Sequence, residues 1–344
     1  MDNNDTFDPT FGYTLDDLLN VQAPPPPDDF DDFWRETYRL ATARTPDYRV
    51  EREVWSPAPD VKILQLRFTS HDGFDIGMWI ARPEQSTGGL VIGHGYGNPA
   101  TPPTTESPGP TVAMPCIRGL GISQCAKIPW ECGRHAGYGI HSRDTYVIRG
   151  AVTDIWEATS VLADLFPDTA SNLNYTGGSL GGGLGAILLP WDARFRAAEI
   201  NVPTLAGPMQ FDFAPPAGEG PGATRRNAAL SDPVCWKALF YFDGASAARR
   251  LRIPVLMTPA LSDRSNPPPA QFAIANAIPA DLRILRIREV GHRAPTPKDI
   301  ELEKDLAKIR KDLFSAERRD ALLKRERKLR VSMDLATRHP CPAW

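Results

Sequence analysis

The chain has 344 residues, 42% of them hydrophobic and 24% charged, with a formal net charge of −3 at pH 7. This composition predicts a globular protein with a sizeable core, and the small charge gives no reason to expect nucleic acid or an anionic membrane as a partner. The acidic start lacks the apolar segment of a signal peptide, and no apolar run reaches the length of a membrane span. We therefore expect a soluble, cytoplasmic protein.

Cysteine and proline usage narrows the class further. The five cysteines follow no repeated spacing and include no C-x-x-C pair, which argues against both a disulfide framework and a metal site. The 34 prolines are about twice the average usage and cluster in loops, so we expect long, stiff connections between elements.

The first part of the chain predicts a strap, a helix and antiparallel strands. Pro24–Pro27 is a stiff extended segment, and an amphipathic helix follows it. Strands are expected at Tyr48–Val54, Val61–Thr69 and Phe74–Ala81, with the turn His71-Asp-Gly joining the last two. We expect His71 to be a surface residue of that turn.

Two buried strands then end in loops that carry polar groups. Gly89–Gly93 runs into a His-Gly-Tyr-Gly loop that begins at His94, and Thr111–Ile117 ends at Arg118. An irregular segment follows. Asp144 is then expected to cap a helix whose apolar residues fall at helical spacing.

The stretch Tyr175–Gly183 places a serine among glycines directly after a short predicted strand. Its centre, Gly-Gly-Ser179-Leu-Gly, fits G-x-S-x-G, the nucleophile elbow of α/β-hydrolases. Flanking glycines let a strained strand-to-helix turn close, and the N-terminus of the following helix favours developing negative charge. An ordinary Gly-rich turn fits the same five residues, so the rest of the chain has to support the assignment.

Two later strands supply partners for Ser179 in the order that this fold requires. Acyl transfer by serine needs a base and an acid that orients the base, each placed after a strand at the carboxyl edge of the sheet. The penultimate predicted strand, Leu251–Leu261, is followed by Asp263, and the last one by His292. Asp243 competes for the acid role, but it precedes its strand and would lie at the wrong end of the sheet.

Two backbone N–H groups are expected to form the oxyanion hole. One belongs to Tyr96, in the loop after a buried strand, and the other to Leu180, directly after the proposed nucleophile. We interpret His94 as a buried histidine bonded to backbone rather than a catalytic one. Arg118 is expected to tie loops together beneath the elbow, in a supporting role.

In chain order these motifs resemble the acetyl xylan esterase and cephalosporin C deacetylase group, carbohydrate esterase family seven. The resemblance extends from about Leu15 to His292. The segments that carry it are Asp-Asp-Phe-Asp-Asp-Phe-Trp from Asp28, His-Gly-Tyr from His94, Arg-Gly from Arg118, the Ser179 elbow, Tyr241-Phe-Asp, and Pro254-Val-Leu-Met. The resemblance implies hydrolysis of acetyl esters of sugars or antibiotic alcohols, with no metal or organic cofactor, by an intracellular homo-oligomer that is often a hexamer.

The chain departs from the pattern of that family at three positions. Leu120 follows Arg-Gly and Leu180 follows the nucleophile, where the family usually has Gln at both places. Arg293 follows the histidine, where the family usually has Glu. The proposed triad is retained, so these changes affect the packing and polarity around the acyl pocket.

The last part of the chain extends beyond the hydrolase pattern. Leu302, Leu306, Ile309 and Leu313 lie at helical steps and predict an amphipathic helix against the sheet or a partner. The stretch from Glu317 onward is dense in Lys and Arg, which predicts a solvated helix or an oligomer contact.

We therefore expect an α/β-hydrolase fold with a mostly parallel central sheet, antiparallel front strands, helices on both faces and an extra C-terminal helix. The expected divisions are an N-terminal strap and helix (1–45), a catalytic domain (46–297) with a pocket-lining insertion (207–243), and a C-terminal helical extension (298–344). The expected function is a serine esterase for short-acyl esters of carbohydrates or similar small alcohols. The alternatives are a serine peptidase like prolyl oligopeptidase and a weakly active scaffold that assembles through its C-terminal helix.

Overall fold

The computed structural model describes residues 8–97, 101–206 and 221–338. Parts of the predicted N-terminal strap (1–7), of the predicted insertion (207–220) and of the predicted C-terminal extension (339–344) therefore lie outside the described residues. The strands are β1 (Tyr48–Val54), β2 (Val61–Thr69), β3 (Asp75–Pro83), β4 (Ser86–Gly93), β5 (Gly109–Pro115), β6 (Leu173–Gly178), β7 (Phe195–Asn201), β8 (Val255–Thr258), β9 (Ala260–Ser262), β10 (Arg283–Leu285) and β11 (Arg288–Val290).

The main sheet has the strand order β1-β2-β3-β5-β4-β6-β7-β8-β10. The front pairs, β1 with β2, β2 with β3 and β3 with β5, are antiparallel. Every pair from β5 to β10 is parallel. The short strands β9 and β11 pair with each other in a separate parallel ribbon. This arrangement confirms the predicted mostly parallel sheet with antiparallel front strands.

Helices cover the sheet and the ends of its strands. They are α1 (Leu15–Asn20), α2 (Phe30–Thr42), α3 (Cys132–Gly137), α4 (Val147–Leu165), α5 (Leu180–Leu188), α6 (Pro221–Ser231), α7 (Pro233–Leu239), α8 (Gly244–Ala248), α9 (Pro268–Ala277), α10 (Pro297–Leu313) and α11 (Arg319–Arg338). In the part of the chain that the structure describes, none of these helices has the length and apolar character needed to cross a membrane.

Different helices cover the two faces of the sheet, and successive residues of one strand contact them in alternation. In β8, Val255 and Met257 belong to the large core that includes α4 and α5. Leu256, which points to the opposite face, packs with Leu306 and Ile309 of α10. The predicted amphipathic C-terminal helix is therefore confirmed, and its apolar side covers the sheet.

The strands around the proposed acid are shorter than the sequence predicts. The predicted single strand Leu251–Leu261 is divided into β8 and β9, with Pro259 between them. Proline has no N–H to donate to a strand ladder, so the chain leaves the main sheet there. β9 then pairs with β11, and the residues that follow these two strands come together.

Two local predictions are wrong. Asp144 does not cap α4, because the N-cap residue is Tyr146 and no side chain caps this helix. Asp144 instead accepts a hydrogen bond from Arg149 at 3.1 Å. His71 is not a plain surface residue either, since its Nδ1 contacts the carboxylate of Glu157 at 2.5 Å and its side chain is only 23% exposed.

The described residues leave one face of the parallel sheet incompletely covered. The crossover from β4 to β5 contains no helix among its described residues, although parallel strands are usually joined by one. An open cavity of about 1430 Å³ lies between this crossover, the sheet and α10. Its lining includes Thr176 and Glu199, and Glu199 pairs with Arg310 of α10 at 2.7 Å. The proposed triad residues do not line this cavity.

Candidate active site

Ser179 occupies a strained turn between β6 and α5. Its backbone φ of 54° lies in the left-handed region that residues other than glycine rarely adopt. The Ser179 N–H donates to the carbonyl of Asn201 at 3.0 Å, and the Thr204 N–H donates to the carbonyl of Ser179 at 3.0 Å. The end of β7 thus holds the strained conformation in place, which is the geometry of a nucleophile elbow.

The elbow also packs directly against β4 and a buried tyrosine. The hydroxyl of Tyr175 donates to the carbonyl of Gly181 at 2.6 Å. A Cβ atom on Gly181 would lie 1.8 Å from the carbonyl oxygen of Gly93, so only glycine fits where these two backbones meet. A Cβ atom on Gly178 would lie 3.7 Å from its nearest neighbour, the side chain of Asn201. The contact with β4 therefore constrains Gly181 and leaves room at Gly178.

The proposed base and acid are joined by a hydrogen bond. His292 Nδ1 lies 2.8 Å from Oδ2 of Asp263, whose side chain is fully buried. The same carboxylate accepts hydrogen bonds from Gln271 Nε2 at 2.9 Å and from the N–H groups of Ser265 and Asn266 at 2.8 and 3.2 Å. These donors fix the carboxylate, and the carboxylate in turn fixes the ring of His292.

Ser179 follows a strand of the main sheet, β6, whereas Asp263 and His292 follow the two strands of the separate ribbon, β9 and β11. Each lies at the carboxyl end of a parallel strand. The ribbon side approaches the elbow side at the end of β7, where the side chain of Asn266 donates to the carbonyl of Val202 at 2.9 Å. The structure joins Asp263 to His292. Within the described residues, no hydrogen bond joins Ser179 Oγ to His292, and the serine side of the triad stays a prediction.

The competing acid, Asp243, is used elsewhere. It caps α8 by accepting hydrogen bonds from the N–H groups of Ala245 and Ser246 at 3.1 and 3.0 Å. Burial raises the pKa of Asp243 to about 6. Asp243 is thus the N-cap residue of α8, and its carboxylate is occupied by that helix.

The loop after β4 passes over the elbow and is held by His94. The Nε2 atom of His94 accepts a hydrogen bond from the Ile117 N–H at 3.0 Å, so the ring carries its proton on Nδ1 and donates to the carbonyl of Gly95 at 2.7 Å. Burial lowers the pKa of His94 to about 4. As the sequence predicts, this histidine is bonded to backbone, and it is neutral at pH 7.

The two expected oxyanion donors belong to residues near the nucleophile. A Cβ atom on Gly95 would be 3.5 Å from Cβ of Ser179, so the loop that carries Tyr96 runs beside the serine. Leu180 is the first residue of α5, where N–H groups have no partner within the helix. Within the described chain, the N–H groups of Tyr96 and Leu180 donate to no protein acceptor.

A buried histidine that the sequence leaves unassigned supports this loop. The hydroxyl of Tyr96 lies 3.2 Å from Nδ1 of His135, whose Nε2 lies 2.9 Å from the carbonyl of Arg118. The ring therefore donates from Nε2 and accepts at Nδ1. Nothing local in the sequence reveals this role, because the contacts span 39 and 17 residues of the chain.

Arg118 connects three elements beneath the site. Its guanidinium donates to Asp154 of α4 at 2.7 Å and to Asp72 of the front hairpin at 2.6 Å, and it lies over the ring of Phe74 at 4.5 Å. Burial would raise the pKa of Asp72, but the hydrogen bonds and charge of Arg118 lower it below its ordinary value. These contacts tie the loop after β5 to α4 and to the front hairpin, and a supporting role of Arg118 in the site stays a prediction.

The three positions where the chain departs from the family pattern differ in environment. Leu120 and Leu180 are buried, with 6% and 0% of their surface exposed, whereas Arg293 is exposed. Two polar side chains of the pattern are thus replaced by apolar ones inside the protein. Gln271, which donates to Asp263, is a further site residue that the sequence analysis missed.

The strand order, the strained elbow and the histidine–carboxylate pair define an α/β-hydrolase. The model of the acetyl xylan esterase (AXE1) family matches residues 10–210 and 227–299, and the chain belongs to that family. It is therefore a carboxylic ester hydrolase.

Solved structures support the fold. An acetyl xylan esterase from Paenibacillus sp. R4 is similar with a TM-score of 0.71 and 23% identity, over 86% of this chain and 99% of that one. Acetyl xylan esterase 1 from Thermoanaerobacterium sp. JW/SL YS485 gives a TM-score of 0.71 and 20% identity, over 87% and 98% of the two chains. A prolyl endopeptidase is similar over 76% of this chain but only 37% of its own, with a TM-score of 0.53 and 20% identity.

Proposed function

We propose that the protein is a serine esterase that hydrolyses short-acyl esters, chiefly acetyl esters, of carbohydrates or similar small alcohols. The observation that carries the proposal is the hydrogen bond of 2.8 Å between His292 and Asp263, found in a chain whose Ser179 occupies a strained strand-to-helix turn. Membership of the acetyl xylan esterase family supports an acetylated carbohydrate as the substrate.

In the proposed mechanism, Ser179 Oγ attacks the acyl carbonyl while His292 accepts its proton. Asp263 holds Nδ1 of His292, which leaves Nε2 for the nucleophile, and stabilises the imidazolium that forms. The contact between Ser179 and His292 forms when substrate enters, because catalytic hydrogen bonds are often long before binding. His292 then delivers the proton to the leaving alkoxide.

The N–H groups of Tyr96 and Leu180 hold the oxyanion of the tetrahedral intermediate. Removing one such donor typically costs a hundredfold or more in rate, about 3 kcal/mol of transition-state stabilisation. Water that His292 activates then attacks the acyl-enzyme and releases acetate. The presence of Leu180 where the family usually has Gln leaves this chemistry intact, because the donor is the backbone N–H.

Hydrolysis of p-nitrophenyl acetate and butyrate tests the proposal. We expect the acetate ester to be cleaved much faster, and Ser179→Ala to lower kcat at least about 10⁴-fold, as loss of a nucleophile does. Ser171→Ala, at an exposed serine, is the matched control and should retain full activity. Failure of the wild type to cleave any short-acyl ester would overturn the proposal. A panel of acetylated xylo-oligosaccharides, cephalosporin C and simple acetylated sugars then identifies the alcohol.

A peptidase is the second candidate, because the fold is similar to that of a prolyl endopeptidase. Cleavage of a proline-containing peptide anilide faster than p-nitrophenyl acetate would favour it. The third candidate, a weakly active scaffold, predicts no turnover of either substrate. The same purified protein and its Ser179→Ala variant distinguish all three.

We also propose that the enzyme acts as a cytoplasmic homo-oligomer, with the hexamer as the expected assembly. The family resemblance supports this, as do Trp55 and Trp130, whose surfaces are 82% and 61% exposed in the single chain. Light scattering after size exclusion measures the assembly. A mass equal to one chain of 37.9 kDa would contradict it.

A further inference from the structure

Three potential metal ligands converge at a point outside the proposed triad. His141 lies in the loop between α3 and α4, Asp232 joins α6 to α7, and Cys235 lies in the first turn of α7. Cys235 Sγ is 3.2 Å from His141 Nδ1, which is 3.4 Å from Asp232 Oδ2. The third side of the triangle, from Cys235 Sγ to Asp232 Oδ2, measures 3.7 Å.

The triangle has the size that a tetrahedral zinc ion requires. Zinc binds sulfur at about 2.3 Å, imidazole nitrogen at about 2.0–2.1 Å and carboxylate oxygen at about 2.0–2.2 Å. At tetrahedral angles these bond lengths separate the ligand atoms by about 3.4–3.6 Å. The observed separations of 3.2, 3.4 and 3.7 Å differ from those values by a few tenths of an ångström. The ligands need almost no movement to bind the ion.

The same geometry does not fit a catalytic relay. In a relay of nucleophile, base and acid, the nucleophile and the acid contact opposite nitrogens of the imidazole ring. Here both Cys235 and Asp232 face Nδ1 of His141. A single nitrogen cannot accept a proton from the thiol and donate one to the carboxylate at the same time. A cation at the centre of the triangle satisfies all three atoms.

The surroundings provide both support and access. Oδ1 of Asp232 accepts the N–H of Val234 at 2.8 Å, which directs Oδ2 toward the other two ligands. Cys235 is buried, whereas the side chains of His141 and Asp232 are 75% and 37% exposed. An ion can enter from solvent, and water can complete the coordination. Thiolate, imidazole and carboxylate together suit zinc, whose charge balances the two anionic ligands.

We propose that His141, Asp232 and Cys235 bind one zinc ion. The ion links α7 to the loop before α4. The neighbouring helix α6 packs closely on α3, where a Cβ atom on Gly137 would lie 2.8 Å from Thr224. Since α3 carries the histidine that supports the Tyr96 loop, the zinc ion stabilises one wall of the site. The site does not depend on the proposed esterase mechanism.

Metal analysis of the purified full-length chain tests this proposal. After chelator treatment and incubation with a small excess of zinc, we expect one zinc ion per chain and a higher Tm. Cobalt(II) should give the thiolate-to-metal absorption of a tetrahedral site. Cys235→Ser should abolish that band, and His141→Ala, at an exposed position, should weaken binding at least about a hundredfold, since even outer partners of ligands contribute 10–100-fold.

The control is Cys125→Ser, at an exposed cysteine, which should retain one zinc ion and the cobalt band. Circular dichroism checks that each variant is folded. His141→Ala keeps the test informative if the buried Cys235→Ser does not fold. The absence of bound zinc in the wild type, or full binding by folded His141→Ala, would overturn the proposal and leave a hydrogen-bonded cluster only.

Discussion

Replacing one glycine of the elbow tests whether the contact between the elbow and β4 determines the fold around Ser179. In Gly181→Ala the added Cβ would lie 1.8 Å from the carbonyl oxygen of Gly93 and 2.3 Å from its carbonyl carbon. Both neighbours are backbone atoms of Gly93, the last residue of β4, so neither can rotate away as a side chain would. To remove this steric clash, α5 would have to move away from β4 by about 1 Å or more.

The expected cost follows from what such a movement disturbs. Overpacking of a well-packed core costs about 1–3 kcal/mol when side chains can adjust. Here the backbone itself has to shift, and the hydrogen bond from Tyr175 to Gly181, 2.6 Å long, is distorted with it. We expect Gly181→Ala to lower the free energy of unfolding by at least about 3 kcal/mol.

Gly178→Ala is the matched control within the same motif. Its Cβ would meet Asn201 at 3.7 Å, an ordinary van der Waals contact, and we expect its stability to stay within about 1 kcal/mol of the wild type. Urea denaturation followed by fluorescence measures both variants. Equal transition midpoints for Gly181→Ala and the wild type, or an equal loss in Gly178→Ala, would refute the packing argument.

Three other substitutions test charged and titratable groups around the site. Asp263→Asn should lower kcat for p-nitrophenyl acetate about 10⁴-fold with the chain still folded, because the amide no longer orients the catalytic histidine as a base; a near-normal rate in steady-state kinetics would exclude this acid. The pKa of His94 falls to about 4 in the folded chain from 6.5, so the folded state binds fewer protons and stability decreases as pH falls from 6.5 to 4. Urea titrations should show about 2 kcal/mol of this loss between pH 7 and pH 5, and His94→Gln should remove it; an unchanged pH dependence would contradict the assignment. Arg118→Lys should lower the free energy of unfolding by roughly 3 kcal/mol, since lysine cannot make the bidentate pair with buried Asp154. The control Arg35→Lys, in an exposed ion pair, should cost under about 1 kcal/mol. Similar unfolding midpoints for the two variants would contradict this difference.

The sequence by itself determined the parts that depend on local periodicity and chain order. Alternating residues place β1 and β2 at the predicted bounds, and helical spacing places the apolar side of α10. The order of Ser179, Asp263 and His292 after successive strands predicts one common edge, because parallel strands end at the same side of a sheet. These inferences need no knowledge of distant contacts.

The tertiary structure alone decided the contacts between segments far apart in the chain. His135 reaches the Tyr96 loop across 39 residues, and His141 meets Asp232 across 91. No local pattern encodes such meetings, because they depend on how helices stack over the ends of the strands. The cysteine spacing predicts no metal site, yet Asp232 and Cys235 lie one helical turn apart and need only a histidine from another loop. Folding brings that histidine to within 3.4 Å of both.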